Sequence, residues 1–193
     1  MNKDLVFASA NENKILEVSK KLGGLKLLGL KDIGCFEEIP ETSDTIEGNA
    51  VMKARYIFEK YGYNCFADDT GLEVEALGGQ PGVHSARYSG EERNEAANRT
   101  KLLNELDGNE NRFARFKTVI CLIQDGKETL LEGIVNGEIG HEEVGDNGFG
   151  YDSLFIPLGE SRTFAQMTLD EKNVMSHRGL AISKLKKILG SNL

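Results

Sequence analysis

The stretch Cys65-Phe66-Ala67-Asp68-Asp69-Thr70-Gly71-Leu72 constrains this chain more than any other. A short apolar run reads as a strand that stops at two adjacent carboxylates, and a hydroxyl and a glycine follow them. Side chains alternate along an extended chain, so Asp68 and Asp69 face different ways, and at least one is expected to face a cleft. Carboxylates at the carboxyl end of a strand in an α/β protein are the usual place for a divalent cation or a general base. Asp-Asp-Thr-Gly is also good turn chemistry, and the stretch alone does not choose between the two.

A chain of 193 residues is expected to form one domain with a substantial core. Its formal charge of -8 argues against a protein that coats nucleic acid, which needs a basic face. A net-acidic protein binds a phosphate substrate only through local positive charge or a metal ion. Cys35, Cys65 and Cys121 are odd in number and lack metal-ligand spacing, which suits buried thiols in a reducing compartment. Met1-Asn2-Lys3-Asp4 leads into too few apolar residues for a signal peptide or a membrane span, so a cytoplasmic protein without a membrane partner is expected.

The remaining chain alternates strand and helix signals. Leu5 to Ala8 reads as a buried strand. The polar loop Ser9-Ala10-Asn11-Glu12-Asn13-Lys14 then opens a helix with Ile15, Val18 and Leu22 on one face, stopped at Gly23-Gly24. Backbone N–H groups at such a helix start welcome an anion, and Lys14 adds a positive charge, although an Asn cap beside a surface lysine is the commoner meaning. Lys26 to Leu30 is a second strand candidate, and Glu37, Glu38 and Glu41 precede a helix capped by Thr45, whose face Ile46, Ala50, Ala54, Ile57 and Tyr61 ends at Gly62. A solvated acidic loop is the ordinary reading there; only a partner such as Asp69 makes a metal ligand of Glu41.

Leu72 to Ala76 alternates as a separate strand with one wet face, and Gly78-Gly79-Gln80-Pro81-Gly82 breaks it. Ala96, Leu102, Leu103 and Leu106 predict a helix, and Phe116–Ile123, Asp125-Gly126 and Thr129–Val135 predict a hairpin. Gly145 to Asp152 sets Phe149 and Tyr151 among glycines ahead of the strand candidate Leu154–Ile156. Rings on such a loop can stack on a flat ligand or fold back onto the body. Thr168 with Glu171 fits a capping box, and Ser176 looks like the cap of a last helix with the stripe Ala181, Leu185, Ile188 and Leu189. His177 and Arg178 then sit in a first turn, where the helix dipole disfavours cations, which points to an anion, a carbonyl-bearing ligand or a nearby acid.

Taken in order, Ser9 to Lys14, Ala67 to Leu72, Leu77 to Gly82 with Ser85-Ala86-Arg87-Tyr88, Gly148 to Asp152 and Ser176-His177-Arg178-Gly179 closely resemble the inosine/xanthosine triphosphate pyrophosphatase family. The resemblance runs from residue 5 to about residue 189. It implies an α/β fold with a long mixed β-sheet flanked by helices, a single bilobed domain over residues 1–193 with an active-site cleft between its lobes, and a homodimer. It implies magnesium-dependent hydrolysis of ITP, dITP or XTP to the monophosphate and pyrophosphate, a house-cleaning activity in the nucleotide pool. Carried over by position, Asp69 would be the proton acceptor and a magnesium ligand, with Glu41 as the second acidic ligand and Glu37, Glu38 or Asp68 as competitors for that place. Ser9, Ala10, Asn11, Glu12, Asn13, Lys14 and Thr70 would hold the phosphates and sugar. Phe149, Gly150, Tyr151 and Asp152 would receive base and ribose, while Lys172, His177 and Arg178 read the base edge. Asn147, Ser153 and Ile46 stand where glycine, proline and phenylalanine are frequent, which touches loop rigidity and leaves the charged groups intact. A pyrophosphatase for other modified nucleotides, or a nucleotide-binding regulator without turnover, are the alternative readings; intact Asp69, Lys14 and Arg178 speak against the regulator.

Overall fold

The computed structural model describes residues 4–23 and 26–190. Met1–Lys3 and Gly24, the second glycine of the first helix stop, lie outside the described residues. In chain order the elements are β1 (Leu5–Phe7), α1 (Glu12–Lys21), β2 (Leu27–Leu28), α2 (Ile46–Tyr61), β3 (Asn64–Val74), β4 (Pro81–Gly82), α3 (Glu95–Glu105), β5 (Phe113–Gln124), β6 (Lys127–Ile139), β7 (Phe155–Pro157), α4 (Leu169–Met175) and α5 (His177–Gly190). They form a mixed α/β fold around a seven-stranded sheet of order β2-β1-β3-β5-β6-β7, with β4 paired to β3. β1 runs parallel to both β2 and β3, whereas β4 pairs antiparallel with β3 and β7 with β6. The Asp125-Gly126 turn joins β5 to β6 with both residues at positive φ (52° and 80°), the arrangement a two-residue hairpin with right-twisted strands requires.

The chain divides into two compact units. The first comprises Met1–Asp69, Thr118–Gly133 and Arg178–Leu193; the second comprises Thr70–Lys117 and Ile134–His177. In the first, Phe7 and Phe66 stack at 4.7 Å, and Val18 and Leu22 of α1 join Ile120, Leu122 and Leu131 of the hairpin in one core. The predicted α5 stripe completes it through Ala181, Leu185 and Leu189, with Ile188 partly buried against them, and Ile182 joins from outside the predicted set. α2 begins at its predicted cap, with Thr45 Oγ1 accepting from the Gly48 N–H at 3.0 Å, and ends at Gly62 in the left-handed region. In the second unit, Leu72, Val74, Leu102, Leu106, Phe116, Leu154, Phe155 and Phe164 form the core.

One expectation is corrected here. The strand does not stop at Asp68-Asp69, and Leu72–Ala76 is not a separate strand: β3 runs unbroken from Asn64 to Val74, and Glu75–Leu77 is a 3-10 turn. β1 ends at Phe7, level with Phe66, so beyond that point β3 no longer has β1 alongside, and the two acids follow where a parallel neighbour has ended. Extended geometry also sends the two carboxylates to opposite faces. No helix among the described residues is long and apolar enough to cross a membrane.

Candidate active site

Within the first unit, charged side chains from four segments gather around the β3 acids. Asn11 caps α1, its Oδ1 accepting the Lys14 N–H at 3.1 Å, and the Asn11 N–H in turn donates to Ser9 Oγ at 3.2 Å. Ala10, Asn11, Glu12 and Asn13 are exposed, so the loop presents its backbone at a helix start, with Ser9 and Lys14 half-buried behind it. Lys14 Nζ reaches back to Asp68, 3.2 Å from its carboxylate. Asp68 Oδ2 also takes the Arg178 Nε–H at 3.0 Å, and Arg178 donates in turn to Glu17. Lys14, Asp68, Glu17 and Arg178 are thus linked in a group of two cations and two anions. Burial alone would raise the Asp68 pKa, but Lys14 and Arg178 hold it well below the usual carboxylate range. Burial lowers the Lys14 pKa, against the pull of Asp68.

Asp69 has a different environment. Its Oδ1 lies 3.1 Å from Lys53 Nζ, the same ammonium is 2.5 Å from Glu41 Oε1, and Asn49 Nδ2 approaches Asp69 Oδ2 at 3.4 Å. Burial raises the Asp69 pKa and neighbouring Glu41 adds to it, while Lys53 and Lys14 oppose. Burial would lower Lys53, but Asp69 and Glu41 overcome it and keep the ammonium charged. Asn49 also accepts the Ser43 N–H at 2.9 Å, which ties the loop bearing Glu41 to α2. Gly48 permits this closure, since a Cβ there would stand 1.9 Å from Ser43 Oγ.

Glu41 and Asp69 therefore converge on one cation. Of the competing acids, Glu37 accepts from Tyr56, Lys60 and Tyr61, and Asp68 is held by Lys14 and Arg178. Among the described residues no three His, Cys, Asp or Glu side chains group as a metal cage. Two hard carboxylate oxygens on a shared cation nevertheless fit magnesium, which commonly takes one or two protein carboxylates and leaves its other positions to water and substrate phosphates.

In the second unit, Asp152 Oδ2 accepts the Phe149 N–H at 2.8 Å and Lys172 Nζ at 2.6 Å. Both partners of that ion pair are buried, and the Lys172 ammonium sits 4.9 Å from the Phe149 ring centre. Gly148 makes room for the carboxylate, because a Cβ would lie 2.2 Å from Asp152 Oδ2. His177 is buried with its ring stacked on Phe116 at 4.5 Å. Thr70 follows Asp69 on β3 and is partly buried.

The two loop aromatics part company. Phe149 stays half-exposed, whereas Tyr151 folds into the core, its hydroxyl donating to the Ser85 carbonyl at 2.9 Å. A stacking role for the Tyr151 ring is therefore excluded in this conformation. The sequence reading also passed over Asn49, Lys53 and Glu17 altogether and gave Asp68 only as a competing metal ligand. Their signal was present but faint: Asn49 and Lys53 lie four apart on α2, each beside a residue of the Ala50–Ala54–Ile57 stripe, so both were bound to turn inward.

The sequence profile of the Ham1 family matches residues 5–188. A dITP/XTP pyrophosphatase of Flavobacterium psychrophilum is 59% identical over 94% of this chain and 96% of its own length. One from Flavobacterium johnsoniae is 54% identical over 96% and 97%. The solved structure of the Staphylococcus aureus Ham1 protein superposes with a TM-score of 0.91 at 36% identity, covering 99% of this chain and all of that one. Matched in this way over nearly its whole length, the chain belongs to the Ham1 family.

Proposed function

We propose that this protein hydrolyses the α–β phosphoanhydride of dITP, ITP and XTP, taking up one water and releasing the nucleoside monophosphate and pyrophosphate. The observation that carries the reading is the convergence of Glu41 and Asp69 on a single cation in the first unit. These two carboxylates would hold magnesium. When bound, it neutralises charge on the triphosphate and polarises phosphorus. Asp69 orients the attacking water and accepts its proton, a task helped by a pKa raised through burial. The exposed start of α1, Lys14 and Thr70 bind the phosphates and sugar. Phe149 offers a face to the base, and Gly150, the main chain of Tyr151 and Asp152 receive base and ribose, the Tyr151 ring being folded into the core.

Lys172 and His177 read the base edge, while Arg178, whose guanidinium is taken by Asp68 and Glu17, holds Asp68 instead. Lysine only donates hydrogen bonds, so it matches the 6-carbonyl of hypoxanthine and xanthine and opposes the 6-amino group of adenine. A buried donor facing a donor costs about 1–3 kcal/mol, which separates the two bases roughly ten- to over a hundredfold. A cytoplasmic location suits three cysteines that are all buried and free, and the homodimer is carried over from the family resemblance.

The test is to incubate the chain with ITP, dITP, XTP, dUTP, GTP and ATP, with magnesium or with EDTA, and to separate pyrophosphate from orthophosphate. Pyrophosphate is the expected product, with ITP and XTP preferred over ATP and no turnover in EDTA. Orthophosphate alone, or equal rates on ATP and ITP, would overturn the reading. Asp69→Asn should cost about 10²–10⁴ in kcat, the usual share of a general base, with the circular dichroism spectrum unchanged. Sedimentation should give twice the chain mass of 21.2 kDa.

A further inference from the structure

Helix α3 carries no residue of the site described above, yet it grips the backbone of that site. Gly150 sits in the left-handed region at φ +62°, between Phe149 and Tyr151. Its N–H donates to Glu95 Oε2 at 2.9 Å, and its carbonyl accepts from Arg99 NH1, also at 2.9 Å. Arg99 Nε donates at 2.6 Å to Glu143 Oε2, which also takes the Ser153 hydroxyl at 3.1 Å. Both polar groups of one peptide residue, and the residue that follows Asp152, are thus held by a single chain of charged side chains.

Glu95 and Arg99 are one helical turn apart and share a face with Asn98. Asn98 is buried and fixes α3 in turn: its Oδ1 accepts from Ser89 N and Oγ at 2.7 and 2.8 Å, and its amide donates to the Ala86 carbonyl at 3.1 Å. The platform is therefore anchored before it takes hold of the loop. The Ser153 hydroxyl bond to Glu143 ties the backbone immediately after Asp152 to the same chain of side chains.

We propose that Glu95 and Arg99, joined through Glu143, are positioning residues that clasp the Gly150 peptide and thereby fix Phe149 and Asp152 for base recognition. The inference rests on the assignment of residues 149–152 to the base. Releasing the clasp leaves the acids at the phosphate end untouched, so it weakens recognition of the base and spares the chemical step.

The test compares Arg99→Met, Glu95→Ala and Glu95→Gln with the parent chain, and uses Arg55→Ala, an exposed partner of Glu128, as a control. Arg99→Met and Glu95→Ala should raise KM for ITP about five- to tenfold, the size of a charge-assisted hydrogen bond at a partly exposed position, with kcat within about twofold. The preference for ITP over ATP should fall alongside. Glu95→Gln, whose amide oxygen still accepts, should restore KM. Hydrogen exchange of the 147–152 segment should quicken in Glu95→Ala and recover in Glu95→Gln, a readout independent of turnover. An active parent whose variants keep KM and selectivity, or lose kcat at constant KM, overturns the clasp alone. A parent that cleaves no nucleotide overturns the functional assignment on which it rests.

Discussion

Replacing Asp68 by asparagine isolates the electrostatics of the first unit. The side chain is 1% exposed and shared by Lys14 at 3.2 Å and Arg178 at 3.0 Å. Asparagine keeps the volume, so no cavity is added, and the change removes one negative charge from a neutral group of four. Breaking a buried pair from one side costs about 3–5 kcal/mol. Two features of the structure lower that figure. Arg178 keeps its bond to Glu17, and Lys14, whose pKa burial already depresses, can shed its proton when its partner goes. A loss of about 2–4 kcal/mol is the result, which for a chain of this size lowers the melting temperature by roughly 5–15 °C.

Urea titration followed by circular dichroism measures it. Adding Lys14→Met to Asp68→Asn should recover part of the loss, because the stranded cation is what makes the single change costly. The pH dependence has a definite sign: a carboxylate with a depressed folded-state pKa stabilises above its unfolded value of about 3.9 and loses that contribution as pH falls. The gap between parent and variant should therefore be present at about pH 5 and close as the pH falls below about 4. An Asp68→Asn protein as stable as the parent, or a double variant worse than the two singles combined, would refute the linked group of charges.

Two further predictions concern other parts of the molecule. Gly148→Ala should displace the Asp152 carboxylate, since its Cβ would lie 2.2 Å from Oδ2 at a φ of +80°; ITP binding should weaken at least tenfold, checked by titration calorimetry, while a variant with unchanged affinity would separate the Asp152–Lys172 pair from the base. Burial pushes the thiols of Cys65 and Cys121 from 9.0 up to about 12, so iodoacetamide at pH 8 should leave both untouched in the folded chain and alkylate both in urea. Because the neutral thiol is the form the fold favours, their contribution is complete below about pH 9 and declines from there toward 12, which thermal melts across that range will register.

How much of this was visible in the sequence depended on the range of the interaction responsible. The Thr45 cap, the Gly62 stop, the capping box at Thr168 and the Asp125-Gly126 turn are decided by neighbours within a few residues, and all four stand as read. β3 was misread because its local signals conflict with its partners. Asp-Asp-Thr-Gly is poor strand sequence, yet Asp68 is neutralised by Lys14, 54 positions before it, and by Arg178, 110 positions after it. No window of ten or twenty residues contains that compensation. Glu17 is hidden for the same reason, its counter-charge Arg178 lying 161 positions away; Lys53 has Glu41 and Asp69 only 12 and 16 positions away, and only the weak signal of its place beside an apolar stripe marks it as inward.

The adjacency of the two acids then acquires a physical meaning. Extended backbone sends consecutive side chains to opposite faces, so a single pair of residues meets two unlike environments without any further machinery. Asp68 is answered by two cations of its own and is fixed in the ionised state with its pKa depressed, which suits a structural anchor for the start of α1 and of α5. Asp69 must share one ammonium with Glu41, and its pKa is raised. Two carboxylates on one positive charge remain short of neutralisation, and that shortfall is what supports the magnesium site proposed for them. Exchanging the order of the pair is not possible in this sequence, since both are aspartates; what distinguishes them is the face, and the face is set by counting along β3 from Phe66, whose ring stacks on Phe7. A one-residue slip of β3 against β1 would present the anchored acid where the under-neutralised one belongs, so the register Val6↔Cys65 and Phe7↔Phe66 is as much a part of the proposed chemistry as Asp69 itself.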